Sequence, residues 1–286
     1  MTGWAGVDAP GPSLAVQRAL APLLVEPAGT AIVTDFDGTL APIVEDPARA
    51  RPLDGAVEVM GALARRFGVA AVLSGRPVSF LVEQLAGGTG RASGHPLPGV
   101  RVVGLYGLEW LTDDGKVALE PGAVAWRPVI EEAAGRLGRD LPSGVLVETK
   151  SFGVTVHWRR SPGSEAWAVA RVGTEAARTG LVPHAGRMSL ELRPPLAVDK
   201  GSTTRGLAAG CSAACYLGDD LGDLPAFAAL SDLAARGEMA TVSVAAIDEE
   251  STPAVADAAD VVINGPLEAL GLLRWLADQA APVDRT

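Results

Sequence analysis

Residues 31–40 indicate the fold most directly, and their sequence is Ala31-Ile-Val-Thr-Asp35-Phe-Asp37-Gly38-Thr-Leu40. A short apolar run of strand character ends in two carboxylates and a glycine. Because side chains alternate along extended backbone, Asp35 and Asp37 can approach the same space, and Gly38 permits a sharp turn close to a ligand. Hard carboxylate oxygens suit Mg²⁺, which would offset the repulsion between the two charges. The segment predicts a catalytic metal site, although Asp-x-Asp-Gly alone also fits a solvated turn.

Composition sets the class of protein that the chain can be. With 286 residues, 48% of them hydrophobic, we expect one large or two modest domains with a sizeable core. A formal net charge of -10 makes nucleic acids and anionic membranes poor partners. Cys211 and Cys215 are too few, and too far apart, for a zinc or redox motif, which favours reduced thiols. No apolar run of membrane-spanning length and no secretory signal is recognisable, so we expect a soluble, cytoplasmic protein.

The first hundred residues alternate between strand and helix patterns. Apolar strand patterns cover residues 31–34, 69–73 and 100–105, and helical patterns cover 54–66 and 78–85. The same kind of pattern resumes at Lys200 with a helix, short strands near 214–217, 241–244 and 261–263, and a closing helix at 267–276. This alternation predicts an α/β fold with a Rossmann-like parallel sheet.

The pattern changes between these two parts. Strands with alternating polar and apolar residues are predicted at 145–150, 154–159 and 188–193, with helices at about 126–138 and 164–179. An antiparallel α+β module is therefore predicted. We expect a core of residues 1–112 and 198–286, with residues 113–197 inserted into it as a cap that governs substrate specificity.

Three apolar strands of the predicted core end in polar groups: Asp35 and Asp37, Ser74, and Asp219 and Asp220. Ligands of parallel sheets bind beyond the carboxyl ends of the strands, so these groups should meet. A carboxylate such as Asp35 can attack phosphorus and form an aspartyl-phosphate, with a metal reducing the repulsion. Ser74 can bind phosphoryl oxygens, and Lys200 can neutralise their charge. The set therefore predicts phosphoryl transfer.

Each member of this set also has a simpler interpretation. Ser74-Gly75 fits a plain turn, Lys200 fits a surface lysine, and residues 218–223 fit a helix N-cap. Their order along the chain, each at a boundary of the core, favours the catalytic interpretation.

The set resembles the four motifs of the haloacid-dehalogenase superfamily of phosphatases. The matching segments are residues 35–39 (Asp-Phe-Asp-Gly-Thr), 73–77 (Leu-Ser-Gly-Arg-Pro), 199–201 (Asp-Lys-Gly) and 218–223 (Gly-Asp-Asp-Leu-Gly-Asp). The resemblance implies that Asp35 is the nucleophile, Asp37 the acid/base, and Ser74 and Lys200 the phosphate-binding residues. It also implies Mg²⁺ on Asp35, on the backbone carbonyl of Asp37 and on Asp219. The inserted module matches the position of the superfamily's C2-type cap.

A closer similarity is to the trehalose-6-phosphate phosphatase family. It is carried by residues 35–44 with Pro47 and Pro52, and by residues 104–109, 147–150 and 190–194. The similarity implies a phosphosugar substrate and functional coupling to a glycosyltransferase. It implies cap contacts to sugar hydroxyls from Glu148, Lys150 and Glu191. The remaining predicted site residues are Gly75, Arg76 and Glu109 for substrate binding, and Asp220 and Asp223 as supporting acids.

Alternation along the cap strands gives these sugar contacts independent support. Glu148 and Lys150 share one face of their strand, and Glu191 lies on the polar face of another, opposite to apolar neighbours. Such a face suits a hydroxyl-rich ligand, but a solvated face with cross-strand ion pairs would have the same pattern. We expect His157 on this face and His184 in a loop.

Three residues depart from the family pattern. Tyr106 stands where relatives commonly have histidine, and Gly222 and Leu224 alter the last acidic motif. No catalytic carboxylate is lost. The sugar therefore stays open between trehalose 6-phosphate and a related phosphate, namely a trehalose-like pseudo-disaccharide, sucrose phosphate or a glycosyl-phosphoglycerate. A catalytically silent phosphosugar-binding partner is a third alternative.

Overall fold

The computed structural model describes residues 9–86, 97–186, 188–248 and 251–282. Within these ranges the strands are β1 (Thr30–Thr34), β2 (Val69–Leu73), β3 (Val100–Gly104), β4 (Glu109–Leu111), β5 (Val117–Leu119), β6 (Leu146–Lys150), β7 (Gly153–His157), β8 (Val182–Gly186), β9 (Ser189–Arg193), β10 (Ala213–Gly218), β11 (Ala240–Ile247) and β12 (Val261–Asn264). The α-helices are α1 (Leu14–Leu20), α2 (Ala56–Arg66), α3 (Val78–Leu85), α4 (Pro121–Val124), α5 (Arg127–Leu137), α6 (Glu165–Thr179), α7 (Lys200–Leu207), α8 (Leu224–Ala235), α9 (Pro253–Asp257) and α10 (Gly265–Gln279). None of these described helices is long and apolar enough to cross a membrane.

The chain divides into two compact units. The first comprises Met1–Ala118 and Val198–Thr286, and the second comprises Leu119–Ala197. The second unit is thus an insertion in the sequence of the first.

The first unit contains an eight-stranded sheet in the order β12-β11-β10-β1-β2-β3-β4-β5. The six strands from β12 to β3 are parallel, and β4 runs antiparallel to β3. Every residue of β1 and β2 is buried, as expected for continuous apolar runs in a sheet that is covered on both faces. The predicted α/β class with a parallel sheet is confirmed.

Separate apolar clusters cover the two faces of this sheet. On one face, residues of α2 and α10 such as Leu63 and Leu276 pack with Ile32 and Cys215 of the strands. On the other face, α7 and α8 pack against the neighbouring positions of the same strands. Burial on both faces fixes the strand register, because a slip by one residue would exchange the two sets of side chains.

The second unit contains an antiparallel sheet in the order β6-β7-β9-β8. Helices α5 and α6 pack against it, and Val154, Val156 and Leu192 of the sheet are fully buried. The prediction of a loop at His184 was wrong, because His184 lies in β8. This strand contains Pro183 and little apolar alternation, which an edge strand tolerates.

Candidate active site

The carboxyl ends of three neighbouring strands carry predicted catalytic residues. Asp35 follows β1, Ser74 follows β2 and Asp219 follows β10, and β1 lies between the other two strands. The backbone N–H of Asp35 donates to the carbonyl of Leu217 (2.8 Å), and that of Ser74 donates to the carbonyl of Val103 (3.0 Å). The parallel ladder therefore continues one residue past β1 and β2, and the order of the strands brings all three residues to one edge of the sheet.

The ammonium group of Lys200, at the start of α7, lies between two buried carboxylates. Its Nζ atom is 2.6 Å from Oδ1 of Asp223 and 3.1 Å from Oδ1 of Asp35. The contact with Asp223 is a hydrogen bond, whereas the contact with Asp35 is an ion pair that leaves Oδ1 of Asp35 without a hydrogen bond from any described residue. Burial alone would lower the pKa of Lys200, but Asp223 and Asp35 raise it well above its usual value. Lys200 is therefore charged and neutralises part of the acidic cluster.

Asp223 connects the residues around it, although the sequence predicted it only as a supporting acid. Its Oδ1 atom accepts hydrogen bonds from Lys200 and from the hydroxyl of Tyr216, each at 2.6 Å. Its Oδ2 atom accepts from the backbone N–H groups of Asp219 (2.9 Å) and Asp220 (3.1 Å). A carboxylate offers about four acceptor positions. The four hydrogen bonds fill these positions, so Asp223 orients both Lys200 and the acidic loop.

Tyr216 is a residue of this cluster that the sequence reasoning missed. It lies in β10, is fully buried, and packs edge-on against Phe227 with ring centroids 6.0 Å apart. Burial and the charge of Asp223 raise its pKa well above the usual value, so the hydroxyl stays protonated and donates a hydrogen bond to Asp223. The available signal was a tyrosine inside an aliphatic strand that leads into an acidic loop, since a buried hydroxyl requires a partner.

The carboxylates of Asp35, Asp219 and Asp223 form a group that could hold a divalent cation. One oxygen from each lies within 4.8 Å of the others. Burial raises the pKa of Asp35 well above its usual value despite the nearby Lys200, and burial with Asp220 and Asp223 does the same for Asp219. Burial thus disfavours the ionised form of both groups, and a hard cation such as Mg²⁺ that binds them would favour it. Because hydrogen bonds occupy Asp223, Asp35 and Asp219 are the carboxylates best suited as ligands.

Two turns fix the position of Asp219. At Gly38 the backbone has φ 74°, and a Cβ added there would overlap the carboxylate of Asp219. The N–H of Gly38 donates to the carbonyl of Ala41 (2.7 Å), which closes this turn. On the other side, Oδ1 of Asp220 accepts from the N–H of Gly222 (2.8 Å) and begins the short turn that leads to α8.

The carboxylate of Asp37 is bound by Arg76. Nε of Arg76 lies 2.7 Å from Oδ2 of Asp37, and Nη2 lies 2.8 Å from Oδ1. The guanidinium group also stacks over the ring of Phe80, 4.6 Å from its centroid. Such a two-point contact fixes the plane of the carboxylate. The side chain of Asp37 is 26% exposed, compared with 6% for Asp35, so it remains open to solvent. Arg76, predicted to bind substrate, thus contacts the predicted acid/base.

The Ser74-Gly75 loop packs against a strained turn. Ser74 is buried, and its Oγ accepts from the N–H of Arg76 (3.2 Å). A Cβ added at Gly75 would lie 2.6 Å from the hydroxyl oxygen of Tyr106. Leu105 and Tyr106 have φ of 47° and 64°, and their N–H groups donate to the carbonyls of Arg76 and Ser74, each at 3.0 Å. The departure at Tyr106 therefore lies directly beside the predicted phosphate loop.

Glu109, also predicted to bind substrate, has an observed structural contact. It is buried, and its Oε2 accepts a hydrogen bond from the backbone N–H of Val78 (2.8 Å) at the start of α3. A carboxylate at a helix N-terminus is a favourable cap. Glu109 therefore supports the start of α3, and its role in substrate binding stays a prediction.

In the second unit, the three predicted sugar-binding residues lie on one face of the sheet, as alternation predicts. Nζ of Lys150 is 3.1 Å from Oε1 of Glu191, and Nε2 of His157 is 2.9 Å from Oε2 of Glu148. Glu191 reaches Lys150 across β7 because Gly153 has no side chain; a Cβ there would lie 2.9 Å from Oε1 of Glu191. The side chains of Lys150 and Glu191 are only 11% and 8% exposed, which distinguishes this pair from an ordinary solvated ion pair.

A family model supports the relationship suggested by these motifs. The trehalose-phosphatase model matches residues 33–261. The chain is 36% identical over 259 residues to a trehalose-phosphate phosphatase of Mycobacterium avium, covering 87% of this chain and 62% of the relative. It is 38% identical over 210 residues to that of Mycobacterium marinum, covering 70% of this chain and 51% of the relative. The chain thus spans less than two thirds of the length of these relatives.

Solved structures agree in fold. The C-terminal domain of Candida albicans trehalose-6-phosphate phosphatase matches with a TM-score of 0.71 and 23% identity, covering 95% of this chain and 99% of that chain. A trehalose-6-phosphate phosphatase related protein matches with a TM-score of 0.68 and 22% identity, covering 87% and 97%. The parallel sheet and the acidic cluster at its edge agree with this relationship. Because the family model matches most of the chain, the chain belongs to the trehalose-phosphatase family.

Proposed function

We propose that the protein is a magnesium-dependent phosphatase that hydrolyses trehalose 6-phosphate through an aspartyl-phosphate intermediate. The observation that carries this proposal is the position of Lys200, which is buried between Asp35 and Asp223. A carboxylate oxygen that lacks a hydrogen bond and lies beside a buried lysine is suited to receive a phosphoryl group. The charge that the phosphoryl group adds then meets a cation that is already in place.

In the first step, an oxygen of Asp35 attacks phosphorus and the bond from phosphorus to the sugar oxygen breaks. Asp37 gives its proton to the leaving oxygen. The Ser74 hydroxyl and the backbone N–H of Gly75 bind the phosphoryl oxygens, and Lys200 neutralises the charge that accumulates on the phosphorylated Asp35.

In the second step, Asp37 takes a proton from a water molecule, whose oxygen attacks phosphorus and releases Asp35. In both steps Asp37 must lie on the side of phosphorus opposite to Asp35, because the sugar oxygen leaves there and the water enters there. The two hydrogen bonds from Arg76 fix the orientation of the carboxylate at a solvent-exposed position and suit its role as base in this step, and one of them must open while Asp37 carries the proton. In this proposal Arg76 acts on Asp37 and not on the sugar.

Asp35 and Asp219 would hold the magnesium ion, with the backbone carbonyl of Asp37 as a third ligand. Once bound, the ion would reduce the repulsion between Asp35 and the phosphate and polarise a phosphoryl oxygen. The geometry of the cluster supports this assignment, because one oxygen each of Asp35, Asp219 and Asp223 lies within 4.8 Å of the others.

The proposed substrate rests on two kinds of support. The relatives from Mycobacterium avium and Mycobacterium marinum carry the name trehalose-phosphate phosphatase. In addition, the polar face of the second unit combines carboxylates with a lysine, donors and acceptors that suit sugar hydroxyls. We infer that Glu148, Lys150 and Glu191 recognise the sugar.

The test is phosphate release from trehalose 6-phosphate, compared with sucrose phosphate, a glycosyl-phosphoglycerate and p-nitrophenyl phosphate. We expect kcat/KM to be highest for trehalose 6-phosphate by at least about tenfold, because each sugar hydroxyl left unpaired weakens binding. A higher value for another sugar phosphate would keep the chemistry and reject the substrate. Binding of these compounds without phosphate release would reject the catalytic proposal.

A further inference from the structure

One row of polar side chains crosses all four strands of the second unit's sheet. The strand register pairs Glu148 of β6 with Thr155 of β7, Thr155 with Glu191 of β9, and Glu191 with His184 of β8. Side chains that pair directly across strands lie on the same face. The row therefore lies on the face that carries the proposed sugar-binding residues, and Thr155 lies near its middle.

The hydroxyl of Thr155 is buried and lacks a partner. Thr155 is 3% exposed, and no residue within the described ranges forms a hydrogen bond with its Oγ1 atom. Burying a hydroxyl without a hydrogen bond destabilises a fold. Thr30 gives the contrast within this chain, because it is also fully buried but its Oγ1 donates to the carbonyls of Leu23 (3.1 Å) and Glu26 (2.9 Å).

The contacts of the neighbouring carboxylates explain why Thr155 lacks a partner. Glu191 turns along its strand and crosses Gly153 to reach Lys150, and Glu148 turns to His157. Both carboxylates that pair with Thr155 in the register thus make their ion pairs elsewhere.

The row is open to solvent at its Glu148 end, so a ligand that enters there must displace the side chains that cover Thr155. The side chains of Glu148 and His157 are 39% and 27% exposed, so the face is open to solvent on that side. A hydroxyl can donate and accept at once, as can each hydroxyl of a sugar. An unpartnered hydroxyl among charged side chains is therefore matched chemically to a polyhydroxylated ligand.

We propose that Thr155 is a specificity-determining residue, whose Oγ1 forms a hydrogen bond with a hydroxyl group of the sugar in the phosphosugar substrate. This assignment rests on the proposed function and adds to it a residue that neither the motifs nor the family resemblance pointed to. It implies that the Thr155 hydroxyl lowers the stability of the free protein and adds to its selectivity for the sugar.

The test is Thr155→Val, which keeps the β-branched shape and removes the hydroxyl. We expect kcat/KM for trehalose 6-phosphate to fall about tenfold, mainly through KM, since roughly one hydrogen bond to the substrate is lost. The rate with p-nitrophenyl phosphate, which has no sugar, should not change. The melting temperature should stay the same or rise, because an unpaired hydroxyl is removed.

Thr30→Val is the matched control. It removes a buried hydroxyl that has two hydrogen bonds, so it should lower the melting temperature and leave kcat/KM unchanged. The assignment of Thr155 is overturned if Thr155→Val retains the wild-type kcat/KM for trehalose 6-phosphate. It is also overturned if the activities on both substrates fall together, or if the variant loses stability as Thr30→Val does. Wild-type protein that releases no phosphate from trehalose 6-phosphate would instead reject the proposed function, and the assignment with it.

Discussion

Lys200 and Asp35 form an ion pair of 3.1 Å in which both side chains are almost fully buried. Lys200→Met should abolish phosphate release, because no lysine would then offset the negative charges of Asp35 and of the phosphoryl group transferred to it. Removing one partner of a buried pair also costs about 3–5 kcal/mol of unfolding free energy. Phosphate-release assays and urea unfolding of the metal-free protein measure the two effects.

Lys116 provides the control for this variant, because it pairs with Asp114 at 2.6 Å but is 82% exposed. Lys116→Met should change the unfolding free energy by less than about 1 kcal/mol and leave activity intact. An equal loss of stability in both lysine variants would contradict the importance assigned to the buried pair.

The hydroxyl of Tyr216 shares Oδ1 of Asp223 with Lys200. In Tyr216→Phe, Lys200 becomes the single donor to that oxygen, and we expect its ammonium group to move toward Asp223 and away from Asp35. A hydrogen bond to a charged group contributes about 1.5–3 kcal/mol, so kcat should fall roughly tenfold or more. KM for the phosphosugar should change little, because Tyr216 is fully buried and out of reach of a sugar. Steady-state kinetics would contradict this role if kcat stayed at the wild-type value.

Gly38 and Gly237 have similar positive φ angles of 74° and 68°, but only a Cβ at Gly38 would meet the carboxylate of Asp219. At Gly237 nothing lies within 4 Å of an added Cβ. Gly38→Ala and Gly237→Ala should therefore share a backbone strain of about 1–2 kcal/mol, whereas Gly38→Ala alone should lose Mg²⁺ binding and activity. Calorimetric titration with Mg²⁺ measures the difference. Normal Mg²⁺ affinity in Gly38→Ala would show that Asp219 is not a metal ligand.

Burial, with Asp220 and Asp223, raises the pKa of Asp219 above its usual value of 3.8. A carboxyl group with a raised pKa in the folded state adds stability below about pH 4, and this contribution is lost as the pH rises through the folded-state pKa. Asp219→Asn cannot ionise. In EDTA at about pH 7.5, this variant should therefore be more stable than the wild type, with the difference shrinking toward about pH 4.

Addition of Mg²⁺ should reverse this order at neutral pH, because the ion would stabilise the wild type alone. Thermal unfolding at several pH values, with and without Mg²⁺, checks the prediction. An Asp219→Asn variant that is less stable than the wild type in EDTA would contradict the electrostatic account of the cluster.

The sequence predicted the elements whose patterns are continuous. Residues 69–73 and 78–85 were predicted with the observed bounds, because a fully apolar run lies between Gly68 and Ser74 and a proline precedes the next helix. Elements without a clear period were missed. Helix α8 is rich in alanine and leucine on all sides, so it lacks the 3.6-residue period of an amphipathic helix. Edge strand β8 contains proline and glycine and lacks the alternation of a strand.

The sequence also predicted which residues meet at the sheet edge, since parallel strands bring their carboxyl ends together. It could not predict how their side chains pair. The contacts of Arg76 with Asp37 and of Tyr216 with Asp223 depend on tertiary packing. The buried, capping position of Glu109 depends on the turn at Leu105 and Tyr106, which has positive φ at two residues that are not glycine. Such a conformation is uncommon and leaves no signal in the sequence.

The central claim is that Asp35 attacks phosphorus. The most direct measurement is mass spectrometry of the protein after acid quenching during turnover of trehalose 6-phosphate with Mg²⁺, followed by peptide mapping. We expect one added phosphoryl group on the peptide that contains Asp35, and none in Asp35→Asn, which should also release no phosphate. Sustained turnover by a folded Asp35→Asn variant, or a phosphoryl group on a different residue, would contradict it.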